Sequence, residues 1–145
     1  MKKLLLPLLL LFSLTSYAIT DEEIVAEFEA SLVGMAEVDA MAALNTFLGD
    51  NPTLACNVAQ SFAAAFPALV VQAATALATA EPTEAPEIAA QLAGEVPAQA
   101  ENISAAIILV VPASEADILT SVAAAIITPP APPPVGCEPS SPDGG

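Results

Sequence analysis

The chain repeats its pattern of apolar and polar residues every fifteen positions. Five consecutive units each begin with a proline, at Pro52, Pro67, Pro82, Pro97 and Pro112. Positions 7 and 11 of every unit are apolar, and they lie about one helical turn apart. A fixed period of this length indicates a stack of repeated helical units. Two earlier segments fit the same spacing less well, which extends the stack towards the N-terminus.

Each unit is predicted to form one short helix. Its proline suits the first helical turn, where the missing N–H is not needed, and it keeps the preceding residue extended. Short turns between such helices place consecutive helices antiparallel. The sequence therefore predicts an all-α fold, a short-helix solenoid of fifteen-residue units, five clear and two degenerate.

One face of these helices is predicted to be buried. Alanine predominates at positions 4 and 8, which lets neighbouring helix axes approach to the short end of the usual ~8–10 Å. Larger apolar side chains occur at positions 7 and 11. They form the predicted core: Val58, Phe62, Leu77, Ile88, Leu92, Ile103, Ile107, Ile118 and Val122.

Two units carry features that disfavour a regular helix. Pro86, a second proline in its unit, predicts a helix that begins near Pro86 and is shorter than the others. Residues 107–111 are mostly β-branched, which is typical of a strand as well as of a buried helix. The surrounding alanines and the unbroken period favour the helix.

The first helix has a clear beginning and end. Thr20 and Glu23 match a capping box at its start, and Gly34 suits its end. Its inward face is predicted to hold Ile24, Phe28 and Leu32.

A second helix is predicted over residues 37–48, with Gly49 ending it. Asn51 follows, and it is predicted to cap the helix that begins at Pro52, because an asparagine side chain accepts hydrogen bonds from free N–H groups there.

The chain divides into four segments. Residues 1–18 have the basic start, the apolar run and the small-x-small ending of a signal peptide, and the run is short for a membrane anchor, the alternative. Residues 19–51 form the acidic N-terminal helices, residues 52–127 the helical repeats, and residues 128–145 a Pro/Gly/Ser-rich tail. We therefore expect a secreted or periplasmic protein after cleavage near Ala18.

Charge excludes several functions. Lys2 and Lys3 are the only basic residues, so the chain after residue 18 carries 17 carboxylates and no Lys, Arg or His. Neither nucleic acid nor an anionic membrane surface is then an expected partner. A His-dependent catalytic site cannot form, and zinc has too few ligands. We predict no catalytic residue, no cofactor and no metal centre, and a protein that is not an enzyme.

Two stretches have an unusual charge distribution. Asp21, Glu22, Glu23 and Glu27 allow weak binding of divalent cations, although a solvated helix start explains them more simply. Residues 51–80 carry no charge at all. These thirty residues form either the buried centre of the stack, which we favour, or a face for another molecule.

The units share a short consensus. PTEAPEIAAQLAGEV and PAQAENISAAIILVV both have the form P-x-x-A-x-x-I-x-A. They resemble the Ala-rich helical repeats of exported bacterial proteins, which often carry a Pro/Gly/Ser-rich tail. The resemblance covers residues 52–127 and the tail, and it implies exported helical repeats without enzymatic activity.

The sequence thus predicts an exported structural or interaction protein, whose partner is itself or another protein. A solenoid exposes apolar surface at its ends unless polar units cap them. The N-terminal end is acidic, whereas the last unit is apolar, with Ile118, Leu119, Val122, Ile126 and Ile127. End-to-end contact would build an open filament, suited to an extracellular fibre or matrix. The alternative is a monomeric binding module for an apolar ligand or peptide.

The two cysteines, Cys56 and Cys137, are predicted to form a disulfide within one chain. An exported protein meets an oxidising compartment, and a bond between subunits is the alternative. Closing a loop of about 80 residues contributes on the order of 4 kcal/mol in the chain-entropy model. Mass spectrometry without reductant should show a monomer lighter than the reduced chain by two hydrogen atoms. Free thiols or a covalent dimer would contradict the prediction.

Overall fold

The structure, a computed structural model, describes residues 18–127. Within this range the chain forms seven α-helices and five single 3₁₀ turns. The helices are α1 (Asp21–Leu32), α2 (Glu37–Asp50), α3 (Ala55–Ala65), α4 (Val70–Ala80), α5 (Ala85–Glu95), α6 (Ala100–Val110) and α7 (Glu115–Ile127). The 3₁₀ turns are Pro52–Leu54, Pro67–Leu69, Pro82–Glu84, Pro97–Gln99 and Pro112–Ser114. The predicted all-α solenoid of fifteen-residue units is confirmed.

Each proline opens a 3₁₀ turn rather than the α-helix itself. The turn takes positions 1–3 of the unit, and the α-helix begins at position 4. The residue before the proline leaves helical geometry, as at Phe66 with φ −133° and ψ 66°. Its N–H still donates to the carbonyl four residues back, 2.8 Å from Phe66 N to Phe62 O. Each helix therefore ends with its last donor satisfied, and the chain turns within a few residues.

The prediction of a shortened helix at Pro86 is wrong. α5 begins at Ala85 and has 11 residues, as do α3, α4 and α6. Because the α-helix of every unit begins only at position 4, Pro86 at position 5 falls in the first helical turn. A proline costs nothing there, since that N–H has no partner within the helix.

The β-branched run in the fourth proline unit is helical, as favoured. α6 continues through Val110, and Val111 ends it with its N–H donating to the Ile107 carbonyl at 2.8 Å. Ile103 and Ile107 are fully buried in this helix. Burial of these side chains against neighbouring helices outweighs the modest preference of β-branched residues for strands.

The predicted capping box of α1 is confirmed. The Glu23 N–H donates to Thr20 Oγ1 at 3.3 Å, and the Thr20 N–H donates to Glu23 Oε2 at 3.0 Å. Phe28 and Leu32 are buried and Ile24 is half-buried, so the predicted face points inward. Gly34, just past the helix, has a φ of 77°, which only glycine adopts without strain.

Two expectations for the end of α2 are wrong. The helix continues through Gly49 to Asp50, because the backbone N–H of Asn51 still donates to the Phe47 carbonyl at 2.8 Å. The Asn51 side chain does not cap the Pro52 turn. Its Nδ2 donates to the same Phe47 carbonyl at 3.3 Å, so Asn51 closes the preceding helix instead.

The helices stack in two layers. α1, α3, α5 and α7 contact one another in order, and α2, α4 and α6 do the same. From α3 onward each helix also contacts the next helix along the chain. A sequence repeat of fifteen residues thus gives a packing repeat of two units, one helix for each layer.

Helices of the same layer run parallel. The Gln91 side chain of α5 contacts Cys56 of α3, and Glu95 of α5 contacts Gln60 of α3. Both pairs are separated by 35 residues, so moving along α3 also moves along α5 in the same direction. Consecutive helices, joined by short turns, then alternate in direction between the layers.

The core lies between the layers and between successive helices of one layer. All nine of the predicted core residues lie in it, with exposures of 0–6%: Val58, Phe62, Leu77, Ile88, Leu92, Ile103, Ile107, Ile118 and Val122. Position 12 is also buried in three units, by Ala63, Ala78 and Ala93. At the N-terminal end the rings of Phe28 and Phe47, with centroids 4.3 Å apart, join α1 to α2.

We expect Ile103→Asp to lower the free energy of unfolding by about 4 kcal/mol or more, because it places an unpaired charge in the core. Leu109→Asp is the matched control on the same helix, since Leu109 is 86% exposed. It should change stability by less than about 1 kcal/mol. Denaturant unfolding followed by circular dichroism measures both. Equal effects of the two substitutions would refute the register.

Candidate functional site

Side-chain hydrogen bonds concentrate between α3 and α5. The Cys56 backbone N–H donates to Glu81 Oε2 at 3.2 Å. Gln91 Nε2 donates to Cys56 Sγ at 3.3 Å. We call Cys56, Glu81 and Gln91 the Cys56 cluster. It joins the start of α3 to the α4–α5 turn and to the middle of α5.

Glu81 acts as a cap supplied from another unit. Cys56 is the second residue of α3, where backbone N–H groups have no helical acceptor of their own. A carboxylate beside a helix N-terminus also interacts favourably with the helix dipole. Close by, Gln60 Nε2 donates to Glu95 Oε1 at 2.7 Å and makes a second link between α3 and α5.

The environment of Glu81 is unfavourable to its charge. Burial raises the pKa of the Glu81 carboxyl above its usual range, and the neighbouring Glu84 carboxylate raises it further. The hydrogen bond from the Cys56 N–H opposes this rise in pKa, because it stabilises the charged form. Glu81 thus combines a structural hydrogen bond with an ionisation that the fold disfavours.

The sequence analysis did not identify this cluster, although a signal was present. Glu81 occupies position 15 of its unit, where the other proline units have Phe66, Val96, Val111 and Ile126. A lone acid at an otherwise apolar position indicates a side chain that is partly removed from water, and Glu81 is half-buried. The hydrogen-bond partner of Glu81 could not be predicted, because it is the backbone N–H of Cys56 and every residue other than proline has a backbone N–H.

The carboxylates do not gather into a metal centre. Within residues 18–127, no group of three or more His, Cys, Asp or Glu side chains is placed to hold a metal ion. Asp21, Glu22, Glu23 and Glu27 are exposed at the start of α1. Weak cation binding at that helix start stays a prediction, as does the Cys56–Cys137 bond, because Cys137 lies outside the described residues.

The C-terminal end of the described stack is formed by α7, which exposes positions that are buried in α5. In α5, positions 4, 8 and 12 hold the buried residues Ala85, Ala89 and Ala93. In α7 the same positions are exposed and hold Glu115, Leu119 and Ala123. We call these three residues the end face. Ile118 and Val122, expected to add to the apolar end, instead point into the core.

The N-terminal end of the described stack is formed by α1 and α2. Position 7 is fully buried in the proline units but only half-buried at Ala43 of α2, which is the first helix of its layer within residues 18–127. Exposed acids surround this end, among them Glu27, Asp39 and Asp50. The end formed by α7 thus exposes Leu119 and Ala123 beside Glu115, whereas the other end is mainly acidic.

The charge-free residues 51–80 form the centre of the stack. They make up α3, α4 and their turns, and each of their large apolar side chains is buried or half-buried. This location explains the absence of charge without a second molecule. The alternative of an interaction face is therefore not needed for these residues.

The chain matches no protein-family model, no curated protein and no solved structure. The resemblance to exported Ala-rich repeat proteins consequently remains an expectation from the sequence.

The described helices are also short relative to a bilayer. Within residues 18–127 no helix has both the length and the apolar character needed to cross a membrane.

We expect Glu81→Gln to stabilise the fold at pH 7, because the amide keeps an acceptor for the Cys56 N–H and carries no charge. The pKa of Glu81 is raised by folding, so ionisation costs stability at pH 7 and that cost disappears as pH falls through the raised pKa. The gain in melting temperature should therefore shrink near pH 4. Glu101→Gln, at an exposed position, controls for net charge. A gain that is equal at both pH values would contradict this account.

Proposed function

We propose that the protein is an exported structural protein that associates with itself end to end, as a subunit of an extracellular fibre or matrix. The proposal places it in the periplasm or outside the cell. It assigns no catalytic role, because the chain after residue 18 has no basic side chain from which a catalytic centre of the usual kinds is built.

The observation that carries the proposal is the exposed leucine of the end face. Position 8 is a buried small residue in the four preceding units, at Ala59, Ala74, Ala89 and Ser104. In α7 it is Leu119, which is 49% exposed. A polar residue is expected at the last unit of a solenoid that ends in water. A large apolar residue there favours a contact with another molecule.

The chain itself offers a matching partner surface. Within residues 18–127, α1 and α2 are the first helices of the two layers, and Ala43 of α2 is only half-buried. A second copy placed with α1 after α7 would extend both layers in the same direction. Such a head-to-tail contact does not close on itself, so it propagates into a filament.

Charge controls when this contact forms. All the ionised side chains after residue 18 are acidic, so neighbouring copies repel one another at neutral pH. Salt screens the repulsion over about 8 Å at physiological ionic strength, and acid removes it by protonating carboxylates. Divalent cations would bridge acidic groups across the contact. Association is therefore expected to strengthen in acid, in salt and with calcium.

We expect the chain without residues 1–18 to be a monomer at pH 7 in low salt and to form filaments as pH is lowered towards about 4. Light scattering and electron microscopy measure the two states. Leu119→Gln should weaken association about five-fold, equivalent to about 1 kcal/mol for covering a half-exposed leucine.

Leu109→Gln is the control for this substitution, because Leu109 lies at position 13, away from the end face. It should leave association unchanged. A chain that stays monomeric at every pH and calcium concentration would instead favour the monomeric binding module.

A further inference from the structure

We propose that two copies of the chain pair side by side through one edge of the stack, related by a two-fold axis. The short turns alternate between two edges, because consecutive helices alternate in direction. One edge, which we call the apolar edge, holds the α1–α2, α3–α4 and α5–α6 turns and the last residues of α7. The opposite edge, which we call the acidic edge, holds the start of α1 and the other three turns. This pairing is independent of end-to-end association.

Exposed apolar side chains gather on the apolar edge. Seven large apolar side chains are exposed within residues 18–127, and four of them lie here, whereas the other three lie apart from one another. Val33 and Val38 are 84% and 82% exposed at the α1–α2 turn. Ile127, which is 82% exposed, lies beside Ile126 at the end of α7. Such a group of exposed apolar side chains favours a contact with another molecule.

Position 2 of the repeat distinguishes the two edges. It is exposed in all seven units, so the core does not select its residue. On the apolar edge it is Val38, Ala68 and Ala98, whereas on the acidic edge it is polar in three of four units, as at Thr53 and Thr83. Burial explains why the inward residues of 51–80 are uncharged. The apolar edge accounts for the exposed ones at the α3–α4 turn.

The carboxylates lie mainly on the other edge. The acidic edge carries three at the start of α1, one at the end of α2, three in and just after the α4–α5 turn, and two at the start of α7. Within residues 18–127 the apolar edge carries four, at Glu37, Asp39, Glu95 and Glu101. A second copy has no basic side chain after Lys3 with which to meet acids, so it approaches best where acids are few.

The positions of these four acids select the two-fold arrangement. A two-fold axis midway along the edge places the α1–α2 turn on the end of α7 of the second copy, and the α3–α4 turn on its α5–α6 turn. Glu37 and Asp39 then face the uncharged end of α7, and Glu95 and Glu101 face the uncharged α3–α4 turn. A parallel register would place each acid on its own equivalent. The edge is therefore complementary in charge to a second copy of itself.

The apolar edge is large enough to hold two copies together. Its length is three helix spacings of about 9 Å plus one helix diameter of about 10 Å, and its width is one spacing plus one diameter. These dimensions give about 700 Å² for each copy, close to the ~800 Å² per partner of a standard protein interface. Because the side chains at its centre are small, we expect a dissociation constant of roughly 10–100 μM.

Edge pairing would add a second direction to the proposed assembly. Copies that associate end to end would all present the apolar edge on the same side of the filament. Pairing through that edge would then join two filaments side by side, with the acidic edges facing water.

The test is the dimerisation constant of the chain without residues 1–18, measured by analytical ultracentrifugation at pH 7 and physiological salt, which screens repulsion between ionised carboxylates. Ala68→Asp adds a carboxylate at the centre of the apolar edge, opposite the turn with Glu95 and Glu101, and it occurs twice in the dimer. It should weaken pairing about ten-fold or more. Ala113→Asp is the matched control, the same exposed repeat position on the acidic edge, and should change pairing less than about two-fold.

A pair of lysine variants tests the two-fold register. Ala68→Lys places an ammonium against Glu95 and Glu101 of the second copy and should strengthen pairing about five-fold. Ala98→Lys changes net charge equally but faces the uncharged α3–α4 turn, so it should strengthen pairing less than about two-fold. Equal gains from the two variants would overturn the register.

Edge pairing stops at two copies, whereas end-to-end contact continues to add copies. Leu119→Gln should therefore shorten filaments and leave the dimer unchanged, so either contact can fail while the other holds. A chain that stays monomeric at about 100 μM, or a dimer that responds equally to Ala68→Asp and Ala113→Asp, would overturn edge pairing. Monomers that bind phosphatidylcholine vesicles through Ala68 would assign the edge to a membrane surface instead. Circular dichroism of each variant checks that the fold is intact.

Discussion

A proline at every fifteenth residue is the constraint on which the rest of this structure depends. It ends one helix by keeping the preceding residue out of helical geometry, and it starts the next through a 3₁₀ turn. Four successive α-helices, α3 to α6, consequently have the same length of 11 residues, and each begins at position 4 of its unit. Equal phase buries positions 4 and 8 in each of the four helices α3 to α6. Without that spacing, the alanines at these positions would not meet the same surface in every unit.

The second determinant is the absence of cations. Most solenoids can link their units with ion pairs, but this chain has no basic side chain after Lys3. Its units are instead held by close packing of alanine and larger aliphatic side chains, and by carboxylates that accept from neutral donors. Glu81 accepts from the Cys56 N–H, and Glu95 accepts from the Gln60 amide. Such bonds cost desolvation without a counter-charge, which is why the pKa of Glu81 is raised.

The sequence predicted the fold well because its signals are local and repeated. The period, the inward positions and the capping box of α1 follow from residues within one or two turns of each other. The errors at Pro86, Gly49 and Asn51 share one cause, since each boundary depends on how the 3₁₀ turn shares backbone hydrogen bonds between two helices. The two-layer packing and the Cys56 cluster depend on contacts between residues 25 or 35 positions apart, which the period alone does not determine.

The two ends of the stack give the molecule a polarity that its repeats lack. In α3, α4 and α5, positions 4, 8 and 12 are all buried. In α7, the last helix of the described range, the same positions are the exposed Glu115, Leu119 and Ala123. A stack that ended in water would gain by placing charge at position 8 of its last helix, yet that position holds Leu119, while acids are concentrated at the other end. In the proposed end-to-end association, burial of Leu119 would favour the contact and repulsion between carboxylates would oppose it, so solution conditions that weaken this repulsion would favour assembly.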